Sequence, residues 1–299
     1  MIRRTYTKEL IEQWKSALKE AFGFEEYMDM LIQPSFGKNY LTYLPLLNYT
    51  DRTSQNIEDL LELAKDNHYQ IRTLNFEYNQ FKDFDPVTLR LDIANKSLEE
   101  IERGYKKLAK RNVKKEKRLA RYQVKTSKEC KKDGFIEKFY AILKNIYKRH
   151  GTPLFPIDFL HALHNNLEDM DIFFLCEGEE PIGGVLFFYD NKIATLQYGG
   201  IFGYKSDNTN GYALYHGVIE HIIEHKDIEI IDFGRSPYNK GTYFFKTRFG
   251  AKPVKIDIHT SNQKNIYNSY KLASEIWKRL PSPITDFVGP KLTKYLVDL

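Results

Sequence analysis

Apolar and polar positions alternate with two different periods along this chain of 299 residues, and the periods mark its elements. Residues 6–21 place Leu10, Trp14, Ala17 and Leu18 on one face, which predicts an amphipathic helix ended by Gly23. Short β-branched and aromatic runs predict strands at 25–32, 40–47, 69–76 and 87–93, with a helix at 57–66 behind Thr53, Ser54 and Asn56. Pro45 inside the second run marks an edge or a bulge. Ser97 and Glu100 have capping-box spacing and open one long helix, 98–122. A further helix follows Asp133 and ends at Gly151.

The second half reads as helix 156–165, strands 171–176, 182–189 and 192–198, helix 210–225, strand 228–232, a short helix 241–248, strand 254–259 and helix 265–280. Strand, helix, strand therefore occurs twice, at 40–47, 57–66, 69–76 and again at 192–198, 210–225, 228–232. The fold class expected is α/β with mixed sheets (α+β). The boundaries fall at 1–96 for a first domain, 97–150 for a basic and a connecting helix, and 151–299 for a second domain, since Gly151, Thr152, Pro153 and Pro156 break the pattern. Only about one strand fits before residue 40, so the first domain is expected to be trimmed.

Composition changes this picture in one place. The net charge of +5 is concentrated: residues 103–128 hold twelve Lys or Arg and one acid, Glu116, so the rest of the chain is net acidic. That segment fits a solvated helix with long stems, a polyanion-binding surface such as one for tRNA, or a face for anionic lipid. Lys110, Arg111, Lys114, Lys115 and Arg118 are the candidate polyanion contacts. Two cysteines, Cys130 and Cys176, in unlike contexts predict reduced thiols and a cytoplasmic location. The eight histidines show no metal-ligand spacing, and no metal is expected. No apolar run is long enough to cross a bilayer, and no secretory leader is read at the start.

The chemistry gathers at residues 229–253, EIIDFGRSPYNKGTYFFKTRFGAKP. A buried strand ends at Asp232, Gly234 permits a sharp turn, and Arg235 and Ser236 sit where a strand end meets ligand in α/β sheets. Arg235, Lys240, Lys246 and Arg248, with Ser236, Tyr238, Thr242 and Tyr243, suit a carboxylate, a phosphate or a carbonyl oxygen gaining charge. A charged, solvated helix face accounts for the same residues. Asp232 is a candidate base or a cap of the turn, and Tyr198 a candidate wall of the site.

The block D-F-G-R-S, a loop, then G-T-Y-x-F-K-x-x-F-G-A-x-P resembles the signature of the FemAB-related acyltransferases within the GNAT-like superfamily. Supporting likeness comes from 36–49, 110–115, 151–153 and 277–290, the last resembling a subgroup linked to exported polysaccharide. The resemblance implies two tandem GNAT-like domains and an acyl or aminoacyl transfer to a cell-wall or exopolysaccharide precursor. The donor would be aminoacyl-tRNA or acyl-CoA, with no tightly bound cofactor. Lys246 falls on the family's lysine, which would stabilise a tetrahedral intermediate. The segment Gln197, Tyr198, Gly199, Gly200, Ile201, Phe202 only partly matches the pyrophosphate loop of acetyl-CoA enzymes and reads as a strand end. The alternatives are an acyl-CoA-dependent N-acetyltransferase or a non-enzymatic polyanion-binding module on the same fold.

Overall fold

The computed structural model describes residues 3–129, 134–201, 209–261 and 266–297. The first elements are α1 (Lys8–Phe22), β1 (Glu25–Tyr27), β2 (Met30–Ser35), β3 (Lys38–Thr42), α2 (Glu58–Ala64), β4 (His68–Asn75) and β5 (Pro86–Asp92). Then come α3 (Leu98–Gly104), α4 (Lys107–Leu119), β6 (Tyr122–Thr126), α5 (Phe135–His150) and α6 (Ile157–Asn166). The chain continues with β7 (Met170–Glu177), β8 (Glu180–Asp190), β9 (Ile193–Ile201), α7 (Asn210–His225), β10 (Ile230–Pro237) and α8 (Gly241–Thr247). It closes with β11 (Lys252–Thr260), α9 (Ile266–Arg279) and α10 (Ser282–Thr293). The fold class is mixed α/β, as the two periodicities predict.

Two compact units form, each from three stretches of chain. One takes Met1–Arg4, Phe76–Ile142 and Asp169–Ile256; the other takes Thr5–Asn75, Leu143–Glu168 and Asp257–Leu299. The consecutive segments 1–96, 97–150 and 151–299 do not coincide with them. The reason is visible in β5. This strand, assigned by sequence to the first half, lies between β10 and β11 and pairs antiparallel with both.

In the first unit the strands run in the order β11, β5, β10, β9, β8, β7, β6. Period two decides what each face of this sheet meets. Phe173 and Leu175 join the core under α7, together with Leu89, Val113, Phe187, Leu214, Ile231 and Phe249. Phe174, between them, turns the other way and meets Phe139 of α5 edge-on, ring centroids 6.4 Å apart. In the second unit β1, β2, β3 and β4 are neighbours in that order. Here α1 is capped by Thr7, whose Oγ1 accepts the Leu10 N–H, and by left-handed Gly23. It buries Trp14 against Phe159 of α6, and the indole N–H donates to the Pro45 carbonyl at 3.1 Å.

The repeated strand, helix, strand is present in both places, and both are parallel. β3 pairs with β4 across α2, and β9 pairs with β10 across α7. Three readings need correction. The strand expected over 25–32 is a hairpin, because Met28 and Asp29 adopt positive φ and turn the chain back. The helix expected over 98–122 is two helices and a strand. Its capping box is present, but Tyr105 leaves helical backbone to bury its ring against Phe249 and His216, and the Lys106 N–H donates to Arg248. After left-handed Ala120 the chain becomes β6, antiparallel to β7. Finally, the helix expected over 265–280 is not the last element: it ends at Arg279, and after Pro281 a further helix, α10, opens with Pro283 in its first turn.

Helix α7 crosses β6 closely at Gly217, where a Cβ would lie 2.6 Å from Val124 Cγ2. Gly217→Ala is expected to destabilise the protein by about 1–3 kcal/mol in urea denaturation, and adding Val124→Ala should recover part of that loss.

Candidate functional site

The site lies within the first unit, where a ladder ends while its strands run on. β9 and β10 pair in parallel from Ile193/Ile230 to Thr195/Asp232 and no further. β9 continues to Ile201 on its other partner, β8, and β10 continues to Pro237 on β5. Both continuations pass through irregularities. β9 slips register between Leu196 and Tyr198, and β10 between Asp232 and Arg235. Gly234 supplies the second bulge with φ of +72°.

Asp232 fixes that bulge and is fully buried. Its carboxylate accepts a hydrogen bond from the Gly234 N–H at 2.9 Å, one from Arg90 Nε at 2.9 Å and one from the Thr88 hydroxyl. A carboxylate so engaged serves as a structural anchor and is poorly placed to act as a base. The partner is Arg90 of β5, not Arg235. Thr88 and Arg90 escaped the sequence reading because they lie more than 140 residues from Asp232. The available signal was an arginine in the otherwise apolar run Val87, Leu89, Leu91, where a buried cation requires an acid.

Lys246, on α8, is buried. Its ammonium donates to the carbonyls of Gly234 at 3.0 Å and Arg235 at 2.9 Å, so it clamps the bulge from the helix side. Burial pushes its pKa down to about 7; the Asp232 charge opposes this shift and the Arg235 charge adds to it. Arg235 is half-buried, and among the described residues its guanidinium has no carboxylate partner. With Asp232 committed to Arg90, the bulge presents one unmatched guanidinium beside an amine that titrates near neutrality. This pair can receive an anionic group or an oxygen that gains charge.

The other predicted residues divide. Ser236 is buried and its hydroxyl donates to the Arg235 carbonyl. Tyr238 stacks on Phe81 at 5.0 Å and touches Tyr243, whose phenol is pushed up to about 12 by burial and by its hydrogen bond to Tyr238. Lys240 pairs with Asp83 and lies over the Phe84 ring, so with Tyr238 it holds the loop after β10 against residues 81–85. Arg248 donates to the Tyr212 hydroxyl at 2.7 Å and pins α8 to α7. Thr242 is exposed. Tyr198 is buried within β9, opposite Leu186. The structure thus gathers Gly234, Arg235 and Lys246 around Asp232, and turns Tyr238, Lys240, Arg248 and Tyr198 to structural contacts.

On α4 the residues Ala109, Asn112, Val113 and Glu116 face inward. Lys107, Lys110, Arg111, Lys114 and Arg118 share the outward face, while Lys115 is half-buried. Lys110 bonds the Arg103 carbonyl. Lys107, Arg111, Lys114 and Arg118 have no carboxylate partner among the described residues, and they form one stripe. The segment 197–201 is strand, antiparallel to β8, as expected for a strand end; Phe202 and Cys130 lie outside the described residues. Cys176 is a buried free thiol.

Residues 104–247 match the acetyltransferase (GNAT) domain family. Over those residues the chain is similar to that family. The match takes in α4, the bulge of β10 and Lys246, so the basic helix that the sequence boundaries set apart lies inside the matched segment. By sequence, no curated protein matches the chain. Among solved structures it is similar to FemX, with 13% identity over 84% of this chain and 85% of the other, TM-score 0.52. It is also similar to the C-terminal domain of a protein described as a lysylphosphatidylglycerol synthetase from Agrobacterium fabrum, with 10% identity, coverage of 91% and 94%, TM-score 0.59. A third is L-PGS from Bacillus licheniformis, with 11% identity, coverage of 94% and 100%, TM-score 0.56. At these identities the likeness is one of fold, and the GNAT-like, FemAB-related fold is what the sequence block implies. Among the described residues no helix is long and apolar enough to cross a membrane, and no cluster of metal-ligating side chains occurs.

The Lys246 amine makes stability pH-dependent in a defined direction. Above about pH 7 the folded amine is neutral, whereas the unfolded side chain keeps its proton to about 10.5. Wild-type stability should therefore rise with pH through this window relative to Lys246→Met, by at most about 1.4 kcal/mol per pH unit. Urea denaturation of both proteins at pH 7, 8 and 9 measures the difference.

Proposed function

We propose that the protein is an acyltransferase that forms an amide on an amine acceptor, using the bulge of β10 to hold the reacting ester or thioester. The observation that carries this reading is the Arg235 and Lys246 pair, placed inside the segment that matches the GNAT family, where the β9–β10 ladder ends. The acceptor amine attacks the donor carbonyl carbon, and the carbonyl oxygen takes up negative charge. In its protonated form, which dominates below about pH 7, Lys246 has one N–H beyond the two given to Gly234 and Arg235, and Arg235 binds a carboxylate or phosphate of donor or acceptor. The leaving group is the thiol of an acyl-CoA or the ribose hydroxyl of an aminoacyl-tRNA, and it takes up a proton as the amine loses one. A cell-wall or exopolysaccharide precursor is the acceptor class that the D-F-G-R-S block and the FemX-like fold support. A cytoplasmic location accords with such precursors and with either donor.

A second reading, a polyanion-binding module on the GNAT fold, is favoured by the outward stripe of α4. This stripe also suits the phosphates of a tRNA donor, in which case the two readings merge. They separate by activity.

Incubation with acetyl-CoA or with charged tRNA, and with a panel of amine-bearing muropeptide and amino-sugar precursors, should yield a product heavier by one acyl or aminoacyl unit. Arg235→Ala should lower kcat/KM by about ten- to a hundred-fold with an unchanged melting curve, and Arg235→Lys should act mainly on KM. Full activity in both variants would remove Arg235 from the site, and no transfer to any acceptor would remove the enzymatic reading. If α4 tracks phosphates, tRNA affinity measured by anisotropy should fall with salt, and replacing Lys107, Arg111, Lys114 and Arg118 by Ala should flatten that log–log slope by about 3.

A further inference from the structure

Helix α10 of the second unit is mounted the wrong way round for an ordinary amphipathic helix. Its buried positions are Thr285, Gly289 and Thr293, spaced by four. Gly289 sets the approach, since a Cβ there would stand 3.4 Å from the Leu154 backbone and 3.5 Å from Trp277. The two threonines satisfy their hydroxyls locally, on the carbonyls of Ser282 and Gly289. The large apolar residues point outward instead. Phe287 is 67% exposed and Ile284 45%, with Val288 and then Tyr295, just past the helix, exposed on the same side. Spacing of three and four makes these residues one stripe along a helix about 18 Å long. On the preceding helix Ile276 is 54% exposed.

Charge decides between occupants. Among the described residues of 273–297, Asp286 pairs with Lys144 and Glu275 with Lys278. Arg279, Lys291 and Lys294 have no carboxylate partner there. Lys291 lies over the Phe287 ring, its ammonium 3.7 Å from the centroid, so a cation sits on the apolar stripe itself. A second copy docked face to face would bring two copies of Arg279, Lys291 and Lys294 into one interface while Asp286 and Glu275 are already paired, which opposes a symmetric dimer. An anionic bilayer accepts both features, burying Phe287, Ile284 and Val288 below the headgroups while the cations remain among phosphates.

We propose that α10 is a membrane-surface anchor, through which the protein docks on an anionic lipid bilayer with its helix axis in the plane of the interface. The proposal stands apart from the assignment of the catalytic site and does not depend on the charge of α4.

Sedimentation of the full chain with phosphatidylcholine vesicles, and with phosphatidylcholine vesicles containing phosphatidylglycerol, tests it. The wild type should partition onto the second kind. Ile284→Ser with Phe287→Ser should weaken that partition by about ten-fold while leaving the melting curve in place, because both side chains are exposed. Lys291→Glu should weaken it on anionic vesicles. In a separate protein, Phe287→Trp should give an emission shifted to the blue when anionic vesicles are added. Three results would overturn the proposal: no binding of the wild type to either vesicle, unaltered binding by the double serine variant, or a dimer in sedimentation velocity that the serine substitutions dissolve. Loss of vesicle binding on neutralising the α4 stripe, with the α10 variants still bound, would equally assign the lipid contact elsewhere.

Discussion

The buried ion pair between Arg90 and Asp232 is the contact on which the functional region rests. Neither side chain reaches solvent to any useful degree, so removing either one would leave the other charge stranded in a medium that solvates it poorly. The remaining hydrogen-bonding capacity is also used. Arg90 donates to the Arg4 carbonyl at 2.8 Å and lies against Phe76, and the Asp232 carboxylate takes up the Thr88 hydroxyl and the Gly234 N–H. This arrangement ties β5 to β10, holds the Gly234 bulge and sets the direction in which β10 leaves its ladder with β9. The Lys246 clamp then closes over carbonyls that the pair has already positioned. Among the described residues Arg235 is left with no acid to hold it, so the bulge keeps an unmatched positive charge.

Much of this was legible in the chain, and its limits are physical. Periodicity located the strands and helices of the second half, since β7, β8, β9, α7 and β10 alternate or repeat cleanly. It also located both parallel strand, helix, strand units. The breaks were harder. Gly104 is the one local mark of a break within residues 98–122, and what fixes the interruption is that Tyr105 finds a buried place against Phe249, a residue 144 positions away. The hairpin at Met28 and Asp29 carries no glycine to mark its turn. For the candidate site, the D-F-G-R-S block pointed to the stretch in which the structure places the Gly234 bulge and Lys246. Separating anchors from available groups required their partners. Lys240, Arg248 and Tyr238 look as chemically able as Arg235 in one dimension, and only Asp83, Tyr212 and Phe81 reveal that they are engaged.

The two surface features differ in how they could be found. The excess charge of α4 is obvious in composition, and the structure refines it to an outward stripe by burying Ala109, Val113 and Glu116. The apolar face of α10 is the reverse case. Its sequence resembles any amphipathic helix, and its unusual property is orientation, fixed by the close fit of Gly289 and two threonines against the body.

The discontinuous make-up of the two units bears on how the protein is made. Helix α1 hides Trp14, Leu10 and Leu18 by packing with α6, yet α6 leaves the ribosome some 145 residues after α1. At roughly 5–20 residues per second, that apolar face waits about 7–30 seconds for its partner. The second unit also needs its closing stretch from Asp257 onward, so it is completed after the first. The first unit gathers its last strand segment by Ile256 and can condense while the remainder is still emerging. Synthesis order therefore makes the second unit the later folder, although its helix α1 is made before most of the first unit, and a chaperone that shields α1 in the nascent chain would act during that interval.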